Sequence, residues 1–236
     1  MLEKVYLIAS EVVRNATAPL VFNIPEGHVL STGEKVWVYL LSTYNPWLAV
    51  TLISVCMHEF FYFARYIPYM IYDRIPSLNK YKIQPDKVLS DEERWKCTRQ
   101  VLFVHFTYAG AFIVVFYPIT LALGLKFGEV PFPSWSKMLF QIFVSLAVED
   151  SWHYWLHRGL HYGPFYKYIH KVHHEYSAPF GLAAEYAHPI EVALLGLGSF
   201  LGPLLLLATT GDVHVITAMS FISVRICQAV EALFRI

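Results

Sequence analysis

Residues 101–123, VLFVHFTYAGAFIVVFYPITLAL, contain no Asp, Glu, Lys or Arg. A helix of that length crosses about 30 Å of hydrocarbon. Inside a bilayer every backbone amide must find its partner within the protein, and a helix does so within its own segment. This stretch therefore points to an all-α fold, an integral membrane helical bundle. Composition agrees. Charged residues make up 15% of the chain, against about a quarter in soluble domains. The formal net charge of zero gives no reason to expect a nucleic-acid partner.

Further apolar runs extend the bundle to about four to five membrane helices. Residues 47–69 are one span, with His58, Glu59 and Arg65 in its second half. Residues 138–156 begin apolar and end polar, as in a helix whose last turns leave the bilayer or face a bundle interior. Residues 190–209 and 213–230 form a helical hairpin about a Thr210-Gly211-Asp212 hinge. Residues 1–45 have turn signals at Pro25-Glu26-Gly27 and Ser31-Thr32-Gly33. They read as an interfacial region of short helices preceding a membrane domain over 46–236. Asn15-Ala16-Thr17 matches a glycosylation acceptor, a triplet that often arises by chance. The N-terminus shows no removable signal peptide. Three widely spaced cysteines (Cys56, Cys97 and Cys227) form no CxxC and suit a reducing compartment.

Lys and Arg set orientation. Residues 70–99 hold Arg74, Lys80, Lys82, Lys87, Arg94, Lys96 and Arg99, and are expected on the cytosolic side. Counting crossings from there puts 127–136 outside and returns 157–188, and later the C-terminus, to the cytosol.

That returning segment is chemically unusual. Residues 153–174, HYWLHRGLHYGPFYKYIHKVHH, carry six histidines. His153, His157 and His161 recur every four residues and share one helical face, which Glu149 extends by a turn. Gly163-Pro164 breaks the helix. A second helical segment is expected from Phe165, with His170, His173 and His174 on one face. Neutral imidazole is a common ligand for iron, zinc and copper. Polar rings beside lipid are costly unless paired or functional. His157, His161, His170, His173 and His174 are therefore the candidate metal ligands, and six imidazoles suit two metals better than one. His153 stands between ligand and hydrogen-bond partner. Glu149 and Asp150 are candidate acceptors that orient rings, or a plain acidic pair. His28, His105 and His214 read as single interfacial histidines that snorkel or hydrogen-bond. His58-Glu59 begins like the HExxH zinc motif, but Tyr62 stands where the second histidine belongs, and His174-Glu175 fails likewise at Ala178. A bis-histidine haem would leave four histidines unexplained.

The runs HRGLH (157–161) and HKVHH (170–174) resemble the first two histidine boxes of the fatty acid hydroxylase superfamily of membrane di-iron oxygenases. The words YKIQPDK (81–87), VEDSWHYWLHR (148–158) and YKYIHKVHHEYSAPFGLAAEYAHPIE (166–191) resemble more narrowly its C-4 methylsterol oxidase branch. The resemblance runs from about residue 46 to Glu231. It implies a multi-pass protein of the endoplasmic reticulum membrane with two non-haem irons at a cytosolic site. It further implies dioxygen as oxidant and electrons from NAD(P)H through cytochrome b5 and its reductase. The implied reaction is stepwise oxidation of a sterol C-4 methyl group, with the bilayer and the other sterol C-4 demethylation enzymes as partners. The five box histidines match residue by residue. His188, in AHPIE, matches a position typical of the family, as a ligand or as a pocket residue beside Glu185. The family pattern continues into a third HxxHH-type box, whereas no histidine follows His214 here. The expectation is thus the family chemistry for the lineage, with weak or no activity for these 236 residues alone. The alternatives are a hydroxylase of a sphingoid base, fatty acyl or alkylglycerol lipid, and an inactive product acting as a binding subunit.

Overall fold

The computed structural model describes residues 2–84, 87, 89–176 and 180–232, with the side chains of 2–6 and 8 left aside. Pro85 and Asp86 of the YKIQPDK word, residues 177–179 of the 166–191 word and the terminal LFRI lie outside the described residues. Helices account for the fold: α1 (Leu2–Thr17), α2 (Thr32–Thr43), α3 (Pro46–Tyr72), α4 (Asp91–Val104), α5 (Gly110–Ala122), α6 (Trp135–Leu160), α7 (Gly163–Tyr168), α8 (Pro189–Gly196), α9 (Gly198–Thr210) and α10 (Val215–Ala232). Among the described residues β-structure is limited to the isolated bridges Asn23–Glu129 and Lys126–His214.

Four rods are long and apolar enough to cross a membrane: Pro46–Tyr72, Asp91–Ala122, Pro189–Thr210 and Val215–Ala232. In the most apolar window of Asp91–Ala122 only 28% of residues are buried. Leu48, Leu52, Phe60, Phe103, Phe106, Val114 and Ile119 point outward. Apolar surface on that scale requires lipid rather than water around it. The chain is a multi-pass membrane protein.

Local chemistry fixes the rod ends. Asn45 caps α3, its side chain accepting from Leu48 N–H at 3.1 Å, with Pro46 in the first turn. Ser90 and Glu93 form a capping box at the start of α4. Ser31 and Glu34 form another at α2, so Ser31-Thr32-Gly33 opens a helix rather than the expected turn. Glu34 also accepts from Phe132 N–H at 2.8 Å. Burial pushes its carboxyl up, but these backbone and hydroxyl donors hold it at about 2. The span expected over 101–123 starts earlier than the apolar run. α4 and α5 join through a π-helical turn, His105–Ala109, into one rod. The hairpin hinge is as expected: Gly211 adopts φ +64° between α9 and α10.

The closest helix crossing joins α6 and α9. A Cβ on Gly202 would stand 2.4 Å from Ser145 Cα, and one on Gly198 2.6 Å from Trp152 Cδ1. Gly198-Ser-Phe-Leu-Gly202 is thus a small-residue contact of the kind that lets membrane helices approach closely. One buried core gathers Trp37, Leu41, Val50, Phe116, Tyr117, Phe127 and Met219, and another gathers Tyr62, Tyr66, Val101, Leu182, Ile226 and Val230.

Candidate metal centre

The geometry starts from α6. Glu149, His153, His157 and His161 follow one another at four-residue spacing along it. His157 and His161 stack, with ring centroids 5.1 Å apart and planes 16° apart. The chain then breaks at Gly163, whose φ is +40°. Only one short helix follows, and Ile169 interrupts it at φ −120°, ψ −68°. The expected α-helical face over 170–174 is instead a 3-10 helix, His170–Glu175. The tighter winding still returns the box to α6.

His170 is completely buried and sits against both α6 histidines, with ring centroids 4.6 Å from His157 and 4.5 Å from His161. Its Nε2 is 3.1 Å from His161 Nε2 and 3.0 Å from His174 Nε2. Its Nδ1 is 2.7 Å from Glu191 Oε1 on α8. A carboxylate on Nδ1 leaves the Nε2 lone pair free, the arrangement typical of a metal-bound histidine. His157, His161, His170 and His174 each offer a nitrogen, all within 4.8 Å of one another. Burial, then the neighbouring imidazoles, push His157 down to about 4 and His170 to about 3. Burial lowers His173 and His174 too, although the Tyr186 carbonyl partly offsets it at His173. Neutral rings with converging lone pairs fit a transition metal.

His173 stands beside this foursome rather than within it. Its Nδ1 contacts the Tyr186 carbonyl at 3.2 Å, and its ring lies 5.6 Å from His170 and 6.2 Å from His157. His153 is occupied elsewhere: Arg225 Nη2 of α10 is 3.2 Å from its Nδ1. Arg225 also pairs with buried Glu149. Asp150 is exposed. His188 caps α8, its Nδ1 accepting from Ile190 N–H at 3.2 Å. His28 and His214 hydrogen-bond, as expected of interfacial histidines: His28 meets Glu34 at 3.3 Å, and His214 accepts from Ile216 N–H at 3.1 Å.

A second polar cluster was not readable from the sequence. His105 is fully buried, 3.0 Å from Glu59 and 3.1 Å from Glu185 through its two ring nitrogens. The first contact is a hydrogen bond, while the second is a charge contact without hydrogen-bond alignment. His58 Nδ1 shares Glu59 at 3.2 Å. Burial raises the Glu185 carboxyl, but His105 and His58 more than offset it and leave it below the usual range. These groups come from α3, the π-helical turn and the 3-10 helix Gly181–Glu185. The only warning in the sequence was the placement of His58 and Glu59 inside an apolar span.

One cavity of about 480 Å³ touches the histidine boxes through His157 and His173 and the second cluster through His58 and Glu185, a size ordinary for small-molecule sites. Its polar lining includes His157, His173, His58, Glu185 and Arg225. Its apolar lining includes Phe112, Phe116, Leu195, Phe200, Met219 and Ile222.

Comparison with known proteins places this arrangement. The Fatty acid hydroxylase family model matches residues 142–232. The chain is 49% identical over 204 residues to the C-4 methylsterol oxidase of Candida albicans, covering 86% of this chain and 66% of that protein. It is 45% identical to methylsterol monooxygenase erg25B of Aspergillus fumigatus, covering 86% and 69%. It is 38% identical to methylsterol monooxygenase 1 of Rattus norvegicus, covering 88% and 69%. The chain thus spans about two thirds of the length of these curated relatives. No solved structure matches.

Proposed function

The chain belongs to the methylsterol monooxygenase branch of the fatty acid hydroxylase family, and from that premise we propose that it oxidises the C-4 methyl group of 4-methylsterols within the membrane. The observation that carries the reading is the convergence of four box imidazoles, one of which, His157, lines an apolar cavity together with His173. His157, His161, His170, His173 and His174 would hold non-haem iron, two atoms by family likeness. Iron so bound supplies the activation of dioxygen. The donor set fits: the rings are neutral, and Glu191 on His170 Nδ1 fixes the nitrogen that faces the metal. The Tyr186 carbonyl does the same for His173. The aromatic wall of Phe112, Phe116 and Phe200 excludes water and receives an apolar ring system.

One oxygen atom enters the methyl C–H bond and the other leaves as water, consuming two electrons and two protons. NAD(P)H supplies the electrons through cytochrome b5 and its reductase. Residues 46–236 form the oxygenase domain, and 1–45 lie at the interface. The protein resides in the endoplasmic reticulum membrane with its histidines on the cytosolic side. The test is incubation of the chain with a 4-methylsterol, NADPH, cytochrome b5, its reductase and ¹⁸O-labelled dioxygen. Labelled 4-hydroxymethyl sterol, formed only weakly by these 236 residues and lost in His170→Ala, is the expected result. Sterol recovered without label from iron-loaded protein would overturn the reading.

A further inference from the structure

We propose that His58 and Glu185 form a hydroxyl-binding subsite that anchors the substrate by an alcohol on the carbon next to the one that bears the oxidised methyl group. The inference rests on the sterol reading above and deepens it.

The geometry leaves a gap of the right kind. His58 and Glu185 both line the cavity, and His58 Nε2 and Glu185 Oε1 stand 3.8 Å apart. That is too far for a direct hydrogen bond. The remaining atoms of the pair are already engaged. His58 Nδ1 is 3.2 Å from Glu59, and Glu185 Oε2 is 3.1 Å from His105. His105 in turn is 3.0 Å from Glu59, so His58, Glu59, His105 and Glu185 form one linked cluster behind the gap, with the Glu185–His105 link a charge contact. What faces the cavity is one carboxylate oxygen and one ring nitrogen, side by side and without a partner in each other. An alcohol both donates and accepts. It fills the gap by donating to Glu185 and by accepting from His58 when that ring carries a proton. A hydrogen bond to an ionised group is stronger than a neutral one, and a dry cavity wall strengthens it further.

The subsite is also tied to the metal ligands through the backbone. Glu185 is followed by Tyr186, whose carbonyl contacts His173 Nδ1 at 3.2 Å. An alcohol held at Glu185 is thus placed within a peptide unit of the residue that orients His173. A substrate bound this way shares its cavity with His157 and His173, so the substituent on the carbon adjacent to its alcohol is the group within reach of the histidines. A C-4 methyl sterol has that pattern, because its hydroxyl is on C-3, the neighbouring ring carbon. A fatty acyl chain without a neighbouring alcohol does not.

The test compares equilibrium binding of three probes to the full chain in lipid nanodiscs: a 4,4-dimethylsterol, its 3-deoxy analogue and its 3-O-methyl ether. The free alcohol should bind at least about tenfold more tightly than the 3-deoxy compound, with the ether close to the deoxy compound. In Glu185→Gln the preference for the alcohol should fall below about threefold while the 3-deoxy affinity holds, which a merely structural role would not produce. Equal binding of alcohol and deoxy compound by the unaltered chain would overturn the subsite and leave the sterol reading standing. Binding of none of the three would overturn both. The comparison within the unaltered chain stands even where Glu185→Gln does not fold.

Discussion

His170 has the strongest constraints of any residue in the centre. It is fully buried, contacts Glu191 through Nδ1 and meets two other histidines through Nε2. Its pKa of about 3 and that of His157 at about 4 set a sign for the metal-free protein. An unfolded histidine titrates near 6.5. Above that pH neither state binds a proton at these rings, and their contribution to stability is fully present. As pH falls through 6.5 the unfolded chain takes up protons that the folded chain refuses. Stability then declines until the folded values, between about 4 and 3, are reached. Burial favours the neutral form of the neighbouring Glu191 carboxyl, so that group gains stability as pH falls toward 4.5. The decline from the rings is therefore read in a Glu191→Gln background, where chelator-treated protein in mild detergent should melt at progressively lower temperature from pH 7.5 to 4.5. His170→Gln should flatten that decline, and an unchanged slope would contradict the depressed pKa. The pairing of His157 with His161 followed from four-residue spacing on a helix. The Glu191 contact did not, because the partner lies 21 positions away across two chain breaks. The partners of His105 were hidden for the same reason: its carboxylates come from residues 59 and 185.

At the scale of elements, the α6–α9 crossing decides whether the histidine stripe is held at the cavity. Gly202 approaches Ser145 so closely that a Cβ there would sit 2.4 Å from Ser145 Cα. Backbone cannot yield as a flexible side-chain tip does, so Gly202→Ala should destabilise the protein by about 1–3 kcal/mol. Gly196→Ala is the control. Its Cβ would meet nothing within 4 Å, and the change should stay within about 0.5 kcal/mol of neutral. Thermal unfolding of both variants in the same detergent checks this, and equal stabilities would mean that the helices separate at no cost. The helices themselves were legible, since apolar length and capping residues are local signals. The π-helical turn at His105–Ala109 and the 3-10 form of His170–Glu175 were not. Both depart from the 3.6-residue period because tertiary contacts, Glu59 with Glu185 and the α6 histidines respectively, pull a side chain into place. Local spacing has no information about such contacts.

At the scale of the whole molecule, contacts among the described residues gather loops into two groups, one at each end. The 123–134 loop joins the 211–214 hinge, with Lys126 N–H donating to the Val213 carbonyl at 3.0 Å and Lys126 and Lys137 both pairing with Asp212. At the other end Tyr176 hydroxyl donates to the Glu93 carbonyl at 3.2 Å, and Lys96 pairs with Glu175. The His-rich segment therefore shares its end with the Lys- and Arg-rich 73–90 loop, as the count of crossings from sequence implied. That parity requires α6 to run between the ends. Its 26 residues reach about 39 Å, although it is not among the four most apolar rods. If the positive end faces the cytosol, single cysteines in a cysteine-free background should divide cleanly. Exposed Lys80→Cys and Lys167→Cys should react with a membrane-impermeant thiol reagent from the cytosolic side of sealed microsomes. Exposed Glu129→Cys should react only after the vesicles are opened. Labelling of Lys80→Cys and Lys167→Cys from opposite sides would show that α6 does not cross, and it would separate the two segments that the Tyr176–Glu93 contact brings together.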